Sequence, residues 1–377
     1  MSVHWNRAAN RFTSVPLRTR TSPPRPPITV GALIPLSGAA GMWGPSCKTC
    51  IDLGIEEVNA AGGILGRPIC LSLVDAGGPA EMVAERAATM QAVGLLDAVI
   101  GMHISATRLA LQDVLRDKVP YVYAPLYEGG ERQRGVFPIG ETPNQQIRPA
   151  IEWFSTHRGS RRWYFVGNDY IWPHCSHAAA RRFVHRTGGT VVGDEFVPLS
   201  ADDYHGVVER IARAHPDAVV MSLVGNHLAQ FNRAFAAAGL DRKILRFSPS
   251  MDENALLASG DGTTNDLYAT AAYFEHLDLP SNLDFTERYK ARFGQTAPVL
   301  NRFGALCYDG VHLLKKLAEL GGGLAIDRME AAASRMQFDS PRGRPVMNDG
   351  RVISAVYPAR ADGPTFVPVT GFGDMPP

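Results

Sequence analysis

The stretch Glu141–Pro173, ETPNQQIRPAIEWFSTHRGSRRWYFVGNDYIWP, decides the fold class. It predicts a helix rich in apolar residues, followed by a buried strand over Trp163–Gly167. The polar residues Asn168, Asp169 and Tyr170 come directly after that strand. In open α/β sheets, ligands bind outside the carboxyl ends of the strands. The stretch therefore predicts an α/β protein with a ligand site at this strand end.

Strand-like and helical patterns alternate along the chain from Ile28 onward. The strand-like runs, such as ITVGALIPL and DAVVMSLVG, are short and continuously apolar, which is typical of parallel strands covered on both faces. The segments between them have apolar residues at positions i, i+3, i+4 and i+7 and end near glycine or before proline. The pattern begins again at Asn144. We therefore predict two doubly wound, Rossmann-like lobes that are joined by a hinge and enclose a ligand cleft.

The length of the chain, 377 residues, suits two domains of ordinary size. We expect the first lobe to contain residues 28–143 and 270–325, and the second lobe to contain residues 144–269 and 326–377. This division assumes that the helices after the strand DLYATAAYF return to the first lobe, and that the final segment returns to the second.

Residues 1–27 are polar, basic and rich in proline, and we expect them to form a disordered tail. They lack the apolar run of roughly 7–15 residues that a secretory signal needs, which favours a cytoplasmic location. A transit peptide and a mis-assigned start codon are alternatives, and the second would allow a periplasmic or cell-envelope protein. Five scattered cysteines do not indicate a disulfide framework. We expect Cys47 and Cys50 to pack as small apolar residues rather than to form a redox site.

Composition and motifs exclude several classes of protein. With 38 basic and 37 acidic residues, the net charge of +1 gives no reason to expect direct nucleic-acid binding. No apolar run reaches the ~18 residues of a transmembrane helix. The chain has no phosphate-binding loop, no dinucleotide glycine motif after its first strand and no G-x-S-x-G nucleophile turn. We therefore expect no cofactor and no catalytic residue.

Two clusters of ionisable residues invite other chemistry. His174, Cys175 and His177 suggest zinc, but a structural site needs four ligands and a catalytic site three, and no second ligand pair is evident. We expect a solvated helix start and no metal there. Asp252 and Glu253 are adjacent, so in regular structure they point apart and make a poor acid/base pair.

Polar and aromatic side chains follow several predicted strands, and we expect them to bind a ligand. Ser105 begins a helix, whose unpaired backbone N–H groups favour an electron-rich ligand group. Tyr123 and Tyr170 follow strands of different lobes and can meet at one cleft. As alternatives, Ser105 and Asn226 are helix N-caps and the two tyrosines only pack. The candidate ligand-binding residues are His103, Ser105, Thr107, Tyr123, Pro125, Tyr170, Asn226 and Asp252.

The chain resembles the type I periplasmic-binding-protein superfamily over nearly everything from Ile28 to about Val367. The motifs of this resemblance are VGALIPLSGAAG, IEEVNAAGGILGRPI, YAPLYEGGE, TPNQQIRPAIEW, VGNDYIWP, TGGTVVGDEFVPL, FTERYKARFG and FDSPRGRPV. Some of them occur across the superfamily. The combination of Tyr-Glu-Gly, Pro-Asn-Gln and Gly-x-Asp-Tyr is similar to the branch of urea- and short-chain-amide-binding proteins.

The resemblance implies that a ligand lies between two lobes that close over it. It also implies that Ser105 and the backbone beside it bind the carbonyl end of the ligand, while Tyr123 and Tyr170 bound the pocket. The chain departs from the branch at Pro125 and Leu126, before the Tyr-Glu-Gly motif. It departs again at His103, where an aromatic residue is frequent, and His103 is either a ligand contact or a polar core residue.

We therefore expect a non-catalytic protein that binds a small polar ligand, such as an amide, urea or an amino-acid-like molecule. The favoured role is a cytoplasmic sensor that controls a partner regulator, as in an amidase operon. The alternative is the substrate-binding component of an ABC-type importer, with a permease as partner. A hydrolytic α/β enzyme is the alternative from another class, although no activated nucleophile is recognisable in the sequence.

Overall fold

Two mainly parallel sheets form the framework of the computed structural model, which describes Met1 and residues 25–369. The first sheet has the strand order β2-β1-β3-β4-β5 and is parallel throughout. Its strands are β1 (Ile28–Ile34), β2 (Ile69–Asp75), β3 (Ala98–Gly101), β4 (Tyr121–Tyr123) and β5 (Val136–Pro138). The helices α1 (Gly44–Ala60), α2 (Ala80–Ala92) and α3 (Ser105–Leu115) connect them, and the short 3-10 turn Gly41–Trp43 precedes α1.

The second sheet has the order β15-β14-β10-β9-β8-β6-β7 among the described residues. The strands β6 to β10 pair in parallel, while β14 and β15 are antiparallel additions at one edge. The elements up to β10 are α4 (Pro143–His157), β6 (Arg162–Asn168), α5 (Ile171–Arg186), β7 (Thr190–Val197), α6 (His205–Ala214), β8 (Ala218–Ser222), α7 (Asn226–Ala237), β9 (Leu245–Ser248), α8 (Glu253–Ser259) and β10 (Leu267–Ala271).

The last third of the chain visits both halves of the molecule. It contains α9 (Pro280–Phe293), α10 (Arg302–Gly321), α11 (Ile326–Ala332), β11 (Arg335–Gln337), β12 (Val346–Asn348), β13 (Arg351–Ile353), β14 (Tyr357–Asp362) and β15 (Thr365–Pro368). The strands β11, β12 and β13 form a small antiparallel sheet of their own. The two-lobed α/β fold predicted from the alternating pattern is confirmed.

The packing differs from the expected lobe boundaries in two places. Strand β10, partly assigned to the first lobe, pairs with β9 in the second sheet, because its apolar side chains complete that sheet's core. Met329, Met347 and Val352, expected in the second lobe, lie in the core of the first sheet. We propose that the first lobe keeps α9 and α10 and also includes α11 to β13, and that only β14 and β15 return to the second. Of the expected tail, residues 2–24 lie outside the described part.

Three chain segments cross between the two sheets, after β5, after β10 and after β13. A buried ion pair lies at these crossings, where Arg302 donates from Nη2 to Glu141 at 2.8 Å. Glu141 also accepts the backbone N–H of Ala272 at 2.6 Å. Burial opposes ionisation of Glu141, but the positive charges of Arg302 and Arg342 outweigh it and hold its pKa below the usual value. Through these bonds, Glu141 connects the segment after β5 to the segment after β10 and to the start of α10.

Candidate ligand-binding site

A cavity lies at the carboxyl ends of strands from both sheets. This is where an open α/β sheet offers its ligand site. The lining residues come from the segments after β1, β3 and β4 of the first sheet, after β6, β8 and β9 of the second, and from the start of α10. They are Ala40, Trp43, Met102, His103, Ile104, Ser105, Tyr123, Pro125, Leu126, Tyr170, Trp172, Val224, Ser250 and Phe303.

The polar end of the cavity is formed by Ser105 and Tyr123. Ser105 is the first residue of α3, and no side chain caps this helix, since Ile104 occupies the N-cap position. The backbone N–H groups of the first turn therefore have no partner within the helix. Tyr123 donates its hydroxyl proton to the carbonyl of His103 at 2.9 Å, and its oxygen lies 3.4 Å from Ser105 Oγ. The Ser105 hydroxyl is thus free to donate either to Tyr123 or to a ligand.

His103 is a neutral, fixed part of this wall. Burial is the main reason that its pKa falls to about 4, and the charge of Arg108 lowers the pKa further. Nδ1 lies 3.2 Å from the carbonyl of Ile104 and Nε2 lies 2.9 Å from Tyr121 Oη. Both ring nitrogens are therefore engaged within the protein, and His103 offers the cavity mainly the surface of its ring.

Arg108 holds this polar wall from behind. It is buried, and its guanidinium binds Glu128 at 2.6 Å and also Glu131. The same guanidinium lies 5.2 Å from the ring centre of Tyr123. Since neither the arginine nor its two carboxylates line the cavity, their charges stabilise the position of Tyr123 without facing a ligand.

Two aromatic pairs form much of the apolar wall. Trp43 and Phe303 have ring centres 4.1 Å apart, and Tyr170 and Trp172 have ring centres 6.4 Å apart. Tyr170 is the N-cap residue of α5 and brings a hydroxyl into the cavity. Burial raises the pKa of Tyr170 well above its usual value, so the hydroxyl stays protonated. It makes no hydrogen bond to another described residue and can donate to a ligand.

The second sheet also contributes Ser250 and Val224. Ser250 donates its hydroxyl proton to the carbonyl of Leu223 at 2.8 Å, so toward the cavity this oxygen is an acceptor. Asn168 fixes the neighbouring turn, because its side-chain oxygen accepts the N–H of Val224 at 2.9 Å and its amide lies 2.7 Å from His227 Nδ1. Asn168, which follows the predicted strand Trp163–Gly167, is thus a buried residue that supports the cavity wall.

Five of the eight candidate residues line the cavity together, namely His103, Ser105, Tyr123, Pro125 and Tyr170. The other three do not. Thr107 is buried in α3, and its hydroxyl has no partner among the described residues. Asn226 is exposed at the start of α7, whose N-cap is Gly225 rather than Asn226. Asp252 caps α8 by accepting the N–H of Ala255 at 3.0 Å.

The lobes touch through main-chain groups beside the cavity. The N–H of Asn226 donates to the carbonyl of Ala39 at 3.0 Å. Gly225 has φ +50°, and a Cβ atom there would lie 2.0 Å from the same carbonyl oxygen. The close approach of the two lobes at this point therefore requires glycine.

A second contact between the lobes runs through Asn254 of α8. Its amide donates to the carbonyl of Met42 at 3.0 Å, and its side-chain oxygen accepts from Asn301 at 2.8 Å. Asn301 in turn caps α10 by accepting the N–H of Gly304 at 2.8 Å. These hydrogen bonds connect the second lobe to the loop before α1 and to the start of α10, so the structure shows the lobes closed.

The main residues that the sequence did not identify are Trp43, Trp172 and Phe303. Trp172 lies within the motif VGNDYIWP, and its two-residue spacing from Tyr170 was a usable signal. Trp43 and Phe303 lie far apart in the sequence and meet only because α1 packs beside α10, which no local pattern reveals.

The other predicted features are accounted for without a metal. Cys47 and Cys50 are buried in the protein core, as expected. His177 contacts Asp194 at 2.7 Å and His174 contacts Asp169 at 2.8 Å. Within residues 25–369, no group of three or more His, Cys, Asp or Glu side chains is arranged to hold a metal ion.

The described helices include none that is both long enough and apolar enough to span a bilayer.

The chain is similar to several binding proteins in sequence or in structure. Leu/Ile/Val-binding protein BraC3 of Rhizobium johnstonii is 23% identical over 242 residues, which are 63% of this chain and 62% of that protein. The chain thus aligns with less than two thirds of this relative's length. An ABC-transporter solute-binding protein of R. palustris in complex with 4-hydroxybenzoate superimposes with a TM-score of 0.82 at 21% identity, covering 91% of this chain and 95% of that one.

A branched-chain amino acid transporter protein, LivJ of Streptococcus pneumoniae in complex with isoleucine, superimposes with a TM-score of 0.79 at 18% identity, covering 91% of this chain and all of that one. The comparisons do not confirm the narrower likeness to urea- and amide-binding proteins. The family model described as periplasmic binding protein matches residues 27–365. A match over that range, on a two-lobed fold of this kind, means that the chain belongs to the periplasmic binding protein family.

Proposed function

We propose that this protein is the substrate-binding component of an ABC-type importer, and that it captures a small organic molecule between its lobes without changing it. One observation supports this most strongly. A single cavity takes its lining from both sheets, and hydrogen bonds between the lobes lie beside it. A ligand held there contacts both lobes and so favours the closed arrangement.

The cavity has the features of a binding site rather than a catalytic one. A hydrolase needs a nucleophile next to a base that is free to take its proton. Ser105 lies next to Tyr123 Oη, whose proton is donated to a carbonyl, and both nitrogens of His103 are engaged elsewhere. No described lining residue completes a nucleophile–base pair, which favours simple capture.

Within this proposal, Ser105 and the N–H groups of the first turn of α3 bind the carbonyl or carboxylate end of the ligand. Tyr123 positions Ser105, and Tyr170 reaches the ligand from the second lobe. Each neutral hydrogen bond of this kind contributes about 0.5–1.5 kcal/mol. Pro125 and the ring of His103 contribute shape rather than hydrogen bonds.

The proposed partner and location are supported by the relatives and not by the cavity. The importer role implies an ABC permease as partner and a place in the periplasm or cell envelope. The cytoplasmic sensor favoured by the sequence has no support among the relatives, which are named as binding proteins of uptake and chemotactic systems. We therefore favour the role of importer component over the role of cytoplasmic sensor.

The test is a ligand screen on the purified full-length chain, followed by calorimetry on every compound that raises the melting temperature. Each binding compound is then incubated with the protein for a prolonged time, recovered and analysed by mass spectrometry. Saturable binding with an unaltered ligand is expected. Steady conversion of the compound to a product would instead establish an enzyme. Fractionation of the native host with an antibody tests the location, and loss of uptake on gene deletion tests the importer role.

A further inference from the structure

The wall of the cavity contains no ionised side chain among its described lining residues at neutral pH. Nine of the fourteen lining residues are apolar, and the polar ones are serine, tyrosine and neutral histidine. This composition limits the ligand, because a charged group buried here must be stabilised by hydrogen bonds alone.

Hydrogen-bond donors outnumber acceptors at the polar end. The uncapped first turn of α3 offers backbone N–H groups, and Ser105 and Tyr170 offer hydroxyl protons. These donors suit a carbonyl or carboxylate oxygen. An α-ammonium group would need three acceptors and a counter-charge, and the lining offers it only hydroxyl and carbonyl oxygens.

An acidic side chain, Asp252, follows Ser250 by two residues in the segment after β9. It does not line the cavity, and it caps α8 through the N–H of Ala255. Its carboxyl group is near enough to Trp43 to interact with the indole. Among the described residues, Trp43 belongs to the cavity lining and Asp252 does not.

The apolar wall is mainly aromatic. The pairs Trp43–Phe303 and Tyr170–Trp172 present ring surfaces from the first lobe and from the second. Flat ligands gain most from such walls, since aromatic rings favour stacked or edge-to-face contact with one another. A ligand of only four heavy atoms, such as acetamide or urea, has no ring that could stack against these aromatic side chains.

We propose that the ligand is a flat aromatic molecule that bears one carbonyl head group, as carboxylate or carboxamide, and no ammonium group. This rests on the proposed binding function and specifies its substrate class. The head group binds at Ser105 and the start of α3, and the ring lies against Trp43, Phe303 and Trp172. Branched-chain amino acids and small amides are excluded as principal ligands.

Calorimetry with six probes on the full-length protein tests this proposal. Benzoate and benzamide carry the two head groups, and cyclohexanecarboxylate keeps the head group without a flat ring. L-phenylglycine adds the ammonium group to the ring, while L-leucine and acetamide represent the excluded classes. We expect benzoate or benzamide to bind at least about tenfold more tightly than the other four, a difference of about 1.4 kcal/mol.

The outcomes separate this inference from the binding function. Tighter binding of L-leucine, L-phenylglycine or acetamide would overturn the aromatic ligand and leave the binding function intact. Binding of a non-aromatic compound outside this set, with none inside it, has the same meaning. If no compound binds, including those in a pooled metabolite extract, then the binding function itself fails.

Two variants test where the aromatic ring of the ligand binds and whether the carboxyl group of Asp252 affects which ligand is preferred. Trp172→Leu is expected to weaken ring binding about tenfold or more and to leave cyclohexanecarboxylate nearly unchanged. Phe366→Leu, in the core of the second sheet, is the matched control for loss of a buried aromatic side chain. Asp252→Asn is expected to leave the preference unaltered. Equal losses in Trp172→Leu and in the control, or an amino-acid affinity that disappears with Asp252→Asn, would contradict the proposal.

Discussion

Ser105 places a hydroxyl and an uncapped helix turn on the cavity wall. If it donates one neutral hydrogen bond to the ligand, Ser105→Ala should weaken binding by about 0.5–1.5 kcal/mol. Isothermal calorimetry of the variant measures this loss. Ser200→Ala, at an exposed turn, is the control and should bind like the parent. Parent-like binding by Ser105→Ala would remove Ser105 from the site.

Glu253 is a buried carboxyl group beside Asp252, and its Oε1 accepts the N–H of Glu275 at 2.8 Å. Burial, reinforced by the charge of Asp252, raises its pKa from 4.5 to about 8. The folded state therefore holds this proton more tightly than the unfolded state. The resulting stability is complete below the unfolded pKa and is lost as the pH rises through the folded pKa.

Glu253→Gln keeps the acceptor oxygen and removes the ionisation. We expect the melting temperature of the parent to fall more steeply than that of the variant between about pH 5 and about pH 9. Thermal unfolding across this range measures the difference, and the exposed Glu209→Gln is the control. Parallel curves for the parent and Glu253→Gln would show that Glu253 does not titrate in this window.

Single side chains were predictable where they follow a strand. Ser105, Tyr123 and Tyr170 could be proposed because parallel strands bring their carboxyl ends to one edge, and all three line the cavity. Asp252 also follows a strand but faces its own helix as a cap. Local sequence shows that a polar residue lies at a strand end, but not whether it turns toward the cleft or toward the backbone.

Helix α7 begins at a point where the backbones of the two lobes are in contact. Gly225→Ala should hinder closure, since its Cβ would lie 2.0 Å from the Ala39 carbonyl oxygen. We expect ligand affinity to fall about tenfold or more. Gly239→Ala, at the other end of α7, is the control, because it has φ +66° but open space around the added carbon. An equal effect of the two variants would attribute the loss to backbone strain alone.

Helix α5 begins earlier than the sequence indicates. The sequence predicts a helix start near His174, Cys175 and His177, but α5 begins at Ile171, so that Pro173 lies in its first turn. Proline is tolerated there because the N–H groups of the first turn have no partner within the helix. This earlier start places Trp172 in the cavity wall.

The closed arrangement of the whole molecule rests on few direct hydrogen bonds beside the cavity. Without ligand, we expect the lobes to separate, because these bonds alone provide little of the free energy that holds them. Small-angle scattering should show a smaller radius of gyration with saturating ligand than without. Gly225→Ala should show a smaller change. An unchanged radius in the parent, at ligand saturation, would contradict ligand-driven closure.

The lobe division of the last third of the chain could not be read from local patterns. The strands β11 to β13 are three residues each, too short for a clear alternation, and they join the first core after the chain has built the second sheet. Their place depends on contacts with segments made much earlier. Alternating patterns show how many lobes exist, but not which lobe a short late segment joins.

The three crossings have a consequence for biosynthesis. The core beneath β1 to β5 includes apolar residues of α10 and β13, which the ribosome makes only after the whole second sheet up to β10. Domains usually fold in order of synthesis, the N-terminal one first. In this protein, the core of the first sheet therefore stays partly exposed until α10 has been synthesised. A chain truncated at Leu279 should therefore be digested by protease between β1 and β5, and a resistant fragment there would disprove this delay.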